Sequence, residues 1–379
     1  MTKEPFETEI PLGFLGPVKL ESGALLGMDG SLNTMHSVDA GKTWNNSGPM
    51  VDGTGTEFPS GRYMPRGLIR LASGAIAVNY LRALPKPVGW RAYQAFLQKS
   101  LDEGKTWCEP VQITWDNTPV WPTFLVQTKS GRLVLPNEYV FKQSMLHHEH
   151  NSMKICTVFY SDDEGQTWEE SADSVFVAQE DGAQIALVEA PCIAETADGR
   201  LLMFGRTRLH RLAQSYSVDG GQQWEAGSLN SLVSSCSEVW LSQIPETGDL
   251  LCVWNQATVE EIRTGFYRSR LSSAISKDSG KTWEHFQTVV MSPGMRVVDR
   301  VIDTPPAYVR ASGVAPEQGP FPAAGHRTVR HPRVRFIDDK AYLRYDDRRY
   351  TQPHSKSSYF GYKLRILPVS WFYEGDASL

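Results

Sequence analysis

Short apolar runs come in pairs along this chain, and a polar turn joins the two members of each pair. Val18–Leu20 and Ala24–Leu26 flank Gly23, and Leu68–Leu71 and Ala75–Val78 flank Gly74. Phe124–Val126 with Leu133–Leu135, Cys192–Ala194 with Leu201–Met203, and Val239–Leu241 with Leu250–Val253 repeat the arrangement through Gly131, Gly199 and Gly248. Val334–Phe336 and Ala341–Leu343, joined through Asp339-Lys340, make a sixth pair. Short strands with turn signals at even spacing predict an all-β chain of repeated units.

One eight-residue phrase punctuates five of these units. It reads Ser37-Val-Asp39-Ala-Gly41-Lys-Thr43-Trp44, and its other copies are centred on Asp102, Asp163, Asp219 and Asp278. The steps between these aspartates are 63, 61, 56 and 59 residues. A fixed period of this length signals a propeller or solenoid. Asp can accept backbone N–H bonds within a turn, Gly supplies a positive φ, and Trp offers an apolar body to pack between sheets. Five copies make these residues structural, since one active site does not need them.

The phrase is the Asp-box, and over essentially its whole length the chain resembles the sialidase (neuraminidase) superfamily of BNR/Asp-box repeat propellers. The resemblance implies a six-bladed β-propeller with four-stranded antiparallel blades and five Asp-boxes. A period near sixty accommodates six units in residues 1–379 as one domain. A strand around Thr8-Glu-Ile10 is expected to complete the last blade, since closure removes exposed sheet edges. The stretch Ser292–Thr328 is rich in Pro and Gly and is expected to form a lid loop.

Composition narrows the function. A net charge of −5 gives no electrostatic case for nucleic acid or an anionic membrane surface. No apolar run reaches membrane-spanning length. The N-terminus lacks a signal-like apolar stretch, and five cysteines without metal-type spacing read as buried thiols, so a cytoplasmic setting is expected. In His147-His148-Glu149-His150, only His148 and His150 could readily share an ion, so neither a metal nor another cofactor is expected.

In a propeller, the first strand of each blade begins, and the second ends, at the same rim of the central channel. That rule selects Arg66, Trp121, Glu189, Glu238, Arg330 and His331 at strand starts. At strand ends it selects Asp29, Glu138, Arg206, Tyr345, Asp346 and Asp347, and loops on the same rim add His210, Arg268 and Arg270. Glu189-Ala-Pro191 followed by Gly199–Arg206 looks like the sialidase segment whose Glu partners a tyrosine nucleophile and whose Arg grips the substrate carboxylate. The first unit reads Gly13-Phe-Leu-Gly-Pro17 where the family has Arg-Ile-Pro, and the last unit opens on Arg330-His331-Pro332 where the family has Tyr.

The expectation is therefore an exo-type glycoside hydrolase acting on an acidic or uncommon sugar. Glu189, Tyr345 and His331 are its candidate catalytic groups, and Arg206, Arg66, Arg330, His210, Arg270 and Trp121 its binding groups. Seven arginines between Arg327 and Arg349 also fit an anionic carbohydrate. A uronate lyase using His331, Tyr345 and Arg206 is the alternative, with a non-catalytic sugar-binding propeller third.

Overall fold

The structure, a computed structural model, describes residues 5–58, 63–83, 93–114, 120–142, 152–178, 185–186, 188–302, 325–350 and 359–374. Among these residues, a two-stranded sheet pairs Val177–Ala178 with Ile185–Ala186, and six further antiparallel sheets are arranged as propeller blades. Their inner strands are Leu15–Lys19, Tyr63–Arg70, a split strand Val120–Pro122 and Val126–Gln127, Glu189–Glu195, Trp240–Gln243 and Arg327–Ile337. Neighbouring inner strands pack around a ring, the sixth against the first. Helical structure is confined to Val259–Arg263 and a 3-10 turn at Val369–Tyr373 among the described residues.

Phe6–Ile10 closes the ring as the outer strand of blade 6, with Thr8 opposite Leu364 and Ile10 opposite Tyr362. Side chains reinforce the closure. Tyr345 donates its hydroxyl proton to Glu7 Oε2 at 2.6 Å, and Lys363 Nζ reaches Glu9 Oε1 at 2.7 Å.

The Asp-box turns explain the sequence period. Asp163 Oδ1 accepts the Thr167 N–H at 2.9 Å and the Ser161 hydroxyl at 2.8 Å, while Oδ2 accepts the Thr167 hydroxyl at 2.6 Å. Asp39, Asp102 and Asp278 repeat this set, and Asp219 loses the last bond because Gln223 replaces Thr. The box glycines lie at φ of 83 to 96°, and each contacts the preceding blade. A Cβ on Gly104 would meet Leu26 at 2.8 Å, on Gly165 Leu97 at 2.1 Å, on Gly221 Val158 at 3.6 Å, and on Gly280 Leu202 at 2.3 Å. Gly41 faces Tyr342 of blade 6 at 2.9 Å, so the contact runs around the whole ring.

Two predictions follow from these turns. Gly165→Ala is expected to destabilise the protein by about 2–4 kcal/mol, since it combines an unfavourable φ with overpacking against Leu97. Gly74→Ala, at φ 93° with nothing within 4 Å, should cost only the conformational part, about 1–2 kcal/mol. Denaturant titration of both variants measures the difference. The second prediction concerns acid. The Thr43 N–H, with the Thr43 and Ser37 hydroxyls, lowers Asp39 to about 2. At Asp163 desolvation opposes the shift, and the Thr167 hydroxyl and N–H still bring the carboxyl to about 2. Asp102, Asp219 and Asp278 are lowered in the same way. The unfolded chain takes up these protons near pH 4 and the folded chain at lower pH, about 2 for Asp39 and Asp163, so this stability is complete above about pH 4 and is lost as pH falls through the folded values. Denaturation midpoints across pH 2–5 should fall steeply at the acid end, and Asp163→Asn should flatten the slope.

Two sequence expectations, on the lid loop and on the cysteines, change here. Arg327 and Thr328 belong to the inner strand of blade 6 rather than to a loop, and Asp299 and Val301 are bonded to Gln256 of blade 5. Residues 303–324 of the expected lid lie outside the described residues, as does the cluster His147–His150. Cys108 is exposed, while Cys156, Cys192, Cys236 and Cys252 are buried.

Candidate active site

Three inner strands enter the rim through the same irregularity. Leu15-Gly16-Pro17, Glu189-Ala190-Pro191 and Arg330-His331-Pro332 each place two residues opposite one on the second strand. Gly16, Ala190 and His331 take φ of 102, 49 and 55°. Proline lacks the N–H that a regular ladder would use, and a bulge re-aims the residue before it. The flanking pairs are Leu15 opposite Met28, Glu189 opposite Arg206, and Arg330 opposite Asp346. Blade 1 therefore fills with apolar residues the slot that blades 4 and 6 fill with charge. Blade 3 holds the Ala190 bulge in place, because Glu138 Oε2 accepts the Ala190 N–H at 2.8 Å and Thr123 donates to the Pro191 carbonyl at 2.7 Å.

Around these bulges the charges form one connected group. Glu189 is 2% exposed, and its Oε2 accepts from Arg206 Nε at 3.0 Å and Nη2 at 2.7 Å. Arg208 Nη2 stands 3.9 Å from Glu189 Oε1. Glu238 Oε2 accepts from Arg333 Nη2 at 2.6 Å, and Arg333 lies over the Phe124 ring at 3.5 Å, forming a floor between the rim and the channel. His331 Nδ1 is 2.8 Å from Asp346 Oδ2, and Arg330 Nε is 3.7 Å from the same oxygen. Arg66 stacks over Trp121 at 4.7 Å and donates through Nε to the Pro122 carbonyl at 2.9 Å.

Electrostatics sort these groups into roles. Burial lowers the pKa of His331, and Glu238 and Asp346 only partly oppose it, so the ring is neutral at pH 7. Asp346 is lowered, because His331, Arg344 and Arg330 overcome the desolvation that would raise it. An ionised Asp346 can only accept, so the His331 proton sits on Nδ1 and leaves Nε2 as a lone-pair acceptor. Burial works against ionisation of Glu238, yet His331 when protonated, Arg333, Arg66 and Arg206 hold its carboxyl well below the usual range. Glu189 outweighs the desolvation of Arg206 and keeps it protonated. Burial lowers Arg268, and the charges of Arg330 and Arg206 push it the same way. The Nε–H groups of Arg208, Arg268 and Arg330 are buried without an acceptor. An anion at this rim would relieve the crowding of like charges.

The structure brings Glu189, Arg206, Arg330, His331, Arg66 and Trp121 to this rim. Five expected residues face elsewhere. Tyr345 alternates with Asp346 along its strand, is 0% exposed, and is pushed far above the ordinary tyrosine range by burial and Glu7. His210 turns inward at φ 60° and bonds through Nε2 to the Ala257 carbonyl at 2.6 Å. Arg270 is 0% exposed and bonds to Glu261 and to the Arg296 carbonyl, anchoring Val259–Arg263. Asp29 accepts from Ser31 and Asn33 inside a turn, and Asp347 binds Arg327 and Arg349 on the opposite face from Asp346. Arg208 was not expected from the sequence, although its Arg206-Thr-Arg208 spacing carries the signal for it.

Comparisons with known proteins fit this architecture. A family model described as a BNR repeat-like domain matches residues 67–297. The fold is similar to that of a Dyadobacter fermentans protein of unknown function, with TM-score 0.61 and 15% identity over 96% of this chain and 97% of that one. It is similar to a Trypanosoma rangeli sialidase solved with the inhibitor DANA, with TM-score 0.56 and 15% identity, covering 97% of this chain and 56% of that one. An intramolecular trans-sialidase from Ruminococcus gnavus, solved with oseltamivir carboxylate, gives TM-score 0.55 and 14% identity over 94% of each chain. No curated protein matches the sequence.

Proposed function

The chain belongs to the BNR repeat-like domain family, and from that premise we propose that it is a carbohydrate-active enzyme, an exo-type glycoside hydrolase acting on an acidic sugar. The observation that carries this reading is the set of arginines gathered around the buried Glu189, which leaves the rim suited to a carboxylate. Arg206 takes the sugar carboxylate through its remaining guanidinium edge, a planar fork suited to that group. Arg208, Arg268 and Arg330 add positive potential. Glu189 is a positioning residue that fixes Arg206, as Glu138 fixes the bulge beneath it. His331 Nε2 takes a proton from the attacking water as its oxygen bonds to the anomeric carbon and the glycosidic C–O bond breaks. The departing aglycone oxygen takes its proton from solvent, and Asp346 stabilises the His331 imidazolium that results. Trp121 with Arg66 offers a flat platform for the sugar.

A second reading has specific support. Tyr345, the expected nucleophile, is turned away from the rim, while a neutral His331 beside arginines also suits removal of the proton next to a sugar carboxylate. That reaction is an elimination, and its product carries a new carbon–carbon double bond.

The test is a panel of sialosides, uronides and neutral aryl glycosides, assayed with wild type and Glu189→Gln. Aglycone release from an acidic member without new ultraviolet absorbance is the expected result, with kcat/KM lower by about 10²-fold in Glu189→Gln because Arg206 loses its alignment. A rise in absorbance would select the elimination. Preference for neutral glycosides, or full activity in Glu189→Gln, would sink both readings.

A further inference from the structure

Below the Arg333–Phe124 floor, the later residues of the inner strands enclose a cavity of about 580 Å³. This volume lies within the range of small-ligand pockets. Neither Glu189, Arg206, Arg330 nor His331 lines it, so it is separate from the rim described above. We propose that this far end of the central channel is a binding site for a small organic monocarboxylate, held by Arg335.

Arg335 carries the argument. It projects from the inner strand of blade 6 and lies over Trp240, with its guanidinium carbon 5.5 Å from the ring centroid. It makes no ion pair or hydrogen bond with any carboxylate among the described residues. Five other arginines of the C-terminal run are paired: Arg327 and Arg349 bind Asp347, Arg330 and Arg344 approach Asp346, and Arg333 binds Glu238, while Arg348 stacks on Phe360 away from the cavity. At the mouth, Lys19 is paired with Asp338 and Arg70 with Glu103. Desolvation lowers the pKa of Arg335 to about 10, which still leaves it charged at neutral pH. A partly desolvated guanidinium without a counter-ion is costly, and an anion would offset that cost.

The walls decide which anion fits. Ile69, Val126, Phe336 and Ile337 line the cavity half-buried and present apolar surface, which an inorganic ion would leave uncovered. Asp338 is neutralised by Lys19, and Glu195, the other carboxylate lining the cavity, opposes a second negative group on the ligand. A single carboxylate on a flat apolar body satisfies both conditions. The carboxylate meets the Arg335 fork, and the body packs beside Trp240.

Benzoate titrated into the full-length protein by calorimetry tests this, with inorganic phosphate in parallel. Saturable binding at one site is expected, at least tenfold weaker in Arg335→Gln, with phosphate at least tenfold weaker than benzoate. Circular dichroism checks the variant's fold. Should Arg335→Gln fail to fold, Arg335→Lys serves, because it keeps the charge but loses the fork and should still weaken benzoate. Absence of saturation, or unchanged affinity in the substituted protein, would overturn the proposal, the second by placing benzoate at the opposite rim. Phosphate binding as tight as benzoate would overturn the assignment to an organic acid.

Discussion

Replacing His331 with Asn should lower kcat by about 10²–10⁴-fold and leave the fold intact. The choice of Asn follows from the backbone. His331 sits at φ 55° on the bulge before Pro332, a conformation that Asn adopts far more readily than β-branched residues. The Asn amide N–H can also still serve Asp346. A loss of turnover in this variant is therefore a loss of proton transfer, not of strand geometry. The wild-type pH profile supplies an independent readout. Burial holds His331 below its ordinary 6.5, so kcat/KM should rise through a pKa under that value and then level off. His331→Asn should lack that acidic limb. A variant that retains both the rate and the limb would remove His331 from the chemistry.

Arg206→Met is the second substitution with a large expected effect, and it acts on stability as well as binding. Glu189 is 2% exposed, and Arg206 donates two close hydrogen bonds to it. Breaking a buried ion pair from one side typically costs about 3–5 kcal/mol, because the remaining charge stays desolvated. Arg208, at 3.9 Å, recovers part of that by moving closer, which places the expectation near 3 kcal/mol. Adding Glu189→Leu to Arg206→Met should restore most of the stability without restoring activity. Denaturant midpoints and turnover on an acidic glycoside, measured for both single variants and the double variant, complete the cycle. If stability and activity return together, Arg206 acts only as scaffolding.

The fold was legible in the sequence because the chemistry that sets it is local. An Asp that caps its own turn and a Gly at positive φ need no distant partner, and they recur five times. The closing strand was legible because one blade would otherwise keep an open edge. The site was legible where a residue type and a strand end coincided, as at Glu189, Arg206, Arg330 and His331. It was not legible where one residue of phase decides the outcome. Asp346 reaches the rim and Tyr345 the core, although they are neighbours on one strand. The orientations of His210 and Arg270 are set by partners remote in the chain or packing, the Ala257 carbonyl and Glu261. The C-terminal arginines form one run in sequence yet divide among Asp347, Asp346, Glu238, the Phe360 ring and the channel, a division that only the assembled ring creates.

The box glycines give the ring a direction in time as well as in space. Gly104, Gly165, Gly221 and Gly280 each rest on the blade before their own, so every newly made blade secures its predecessor as the ribosome releases it. Gly41 and Phe6–Ile10 are synthesised first, yet their receivers, Tyr342 and Tyr359–Pro368, emerge last. The nascent chain must carry these two segments unfastened until blade 6 has been made. The clasp can engage only once the final blade has left the exit tunnel.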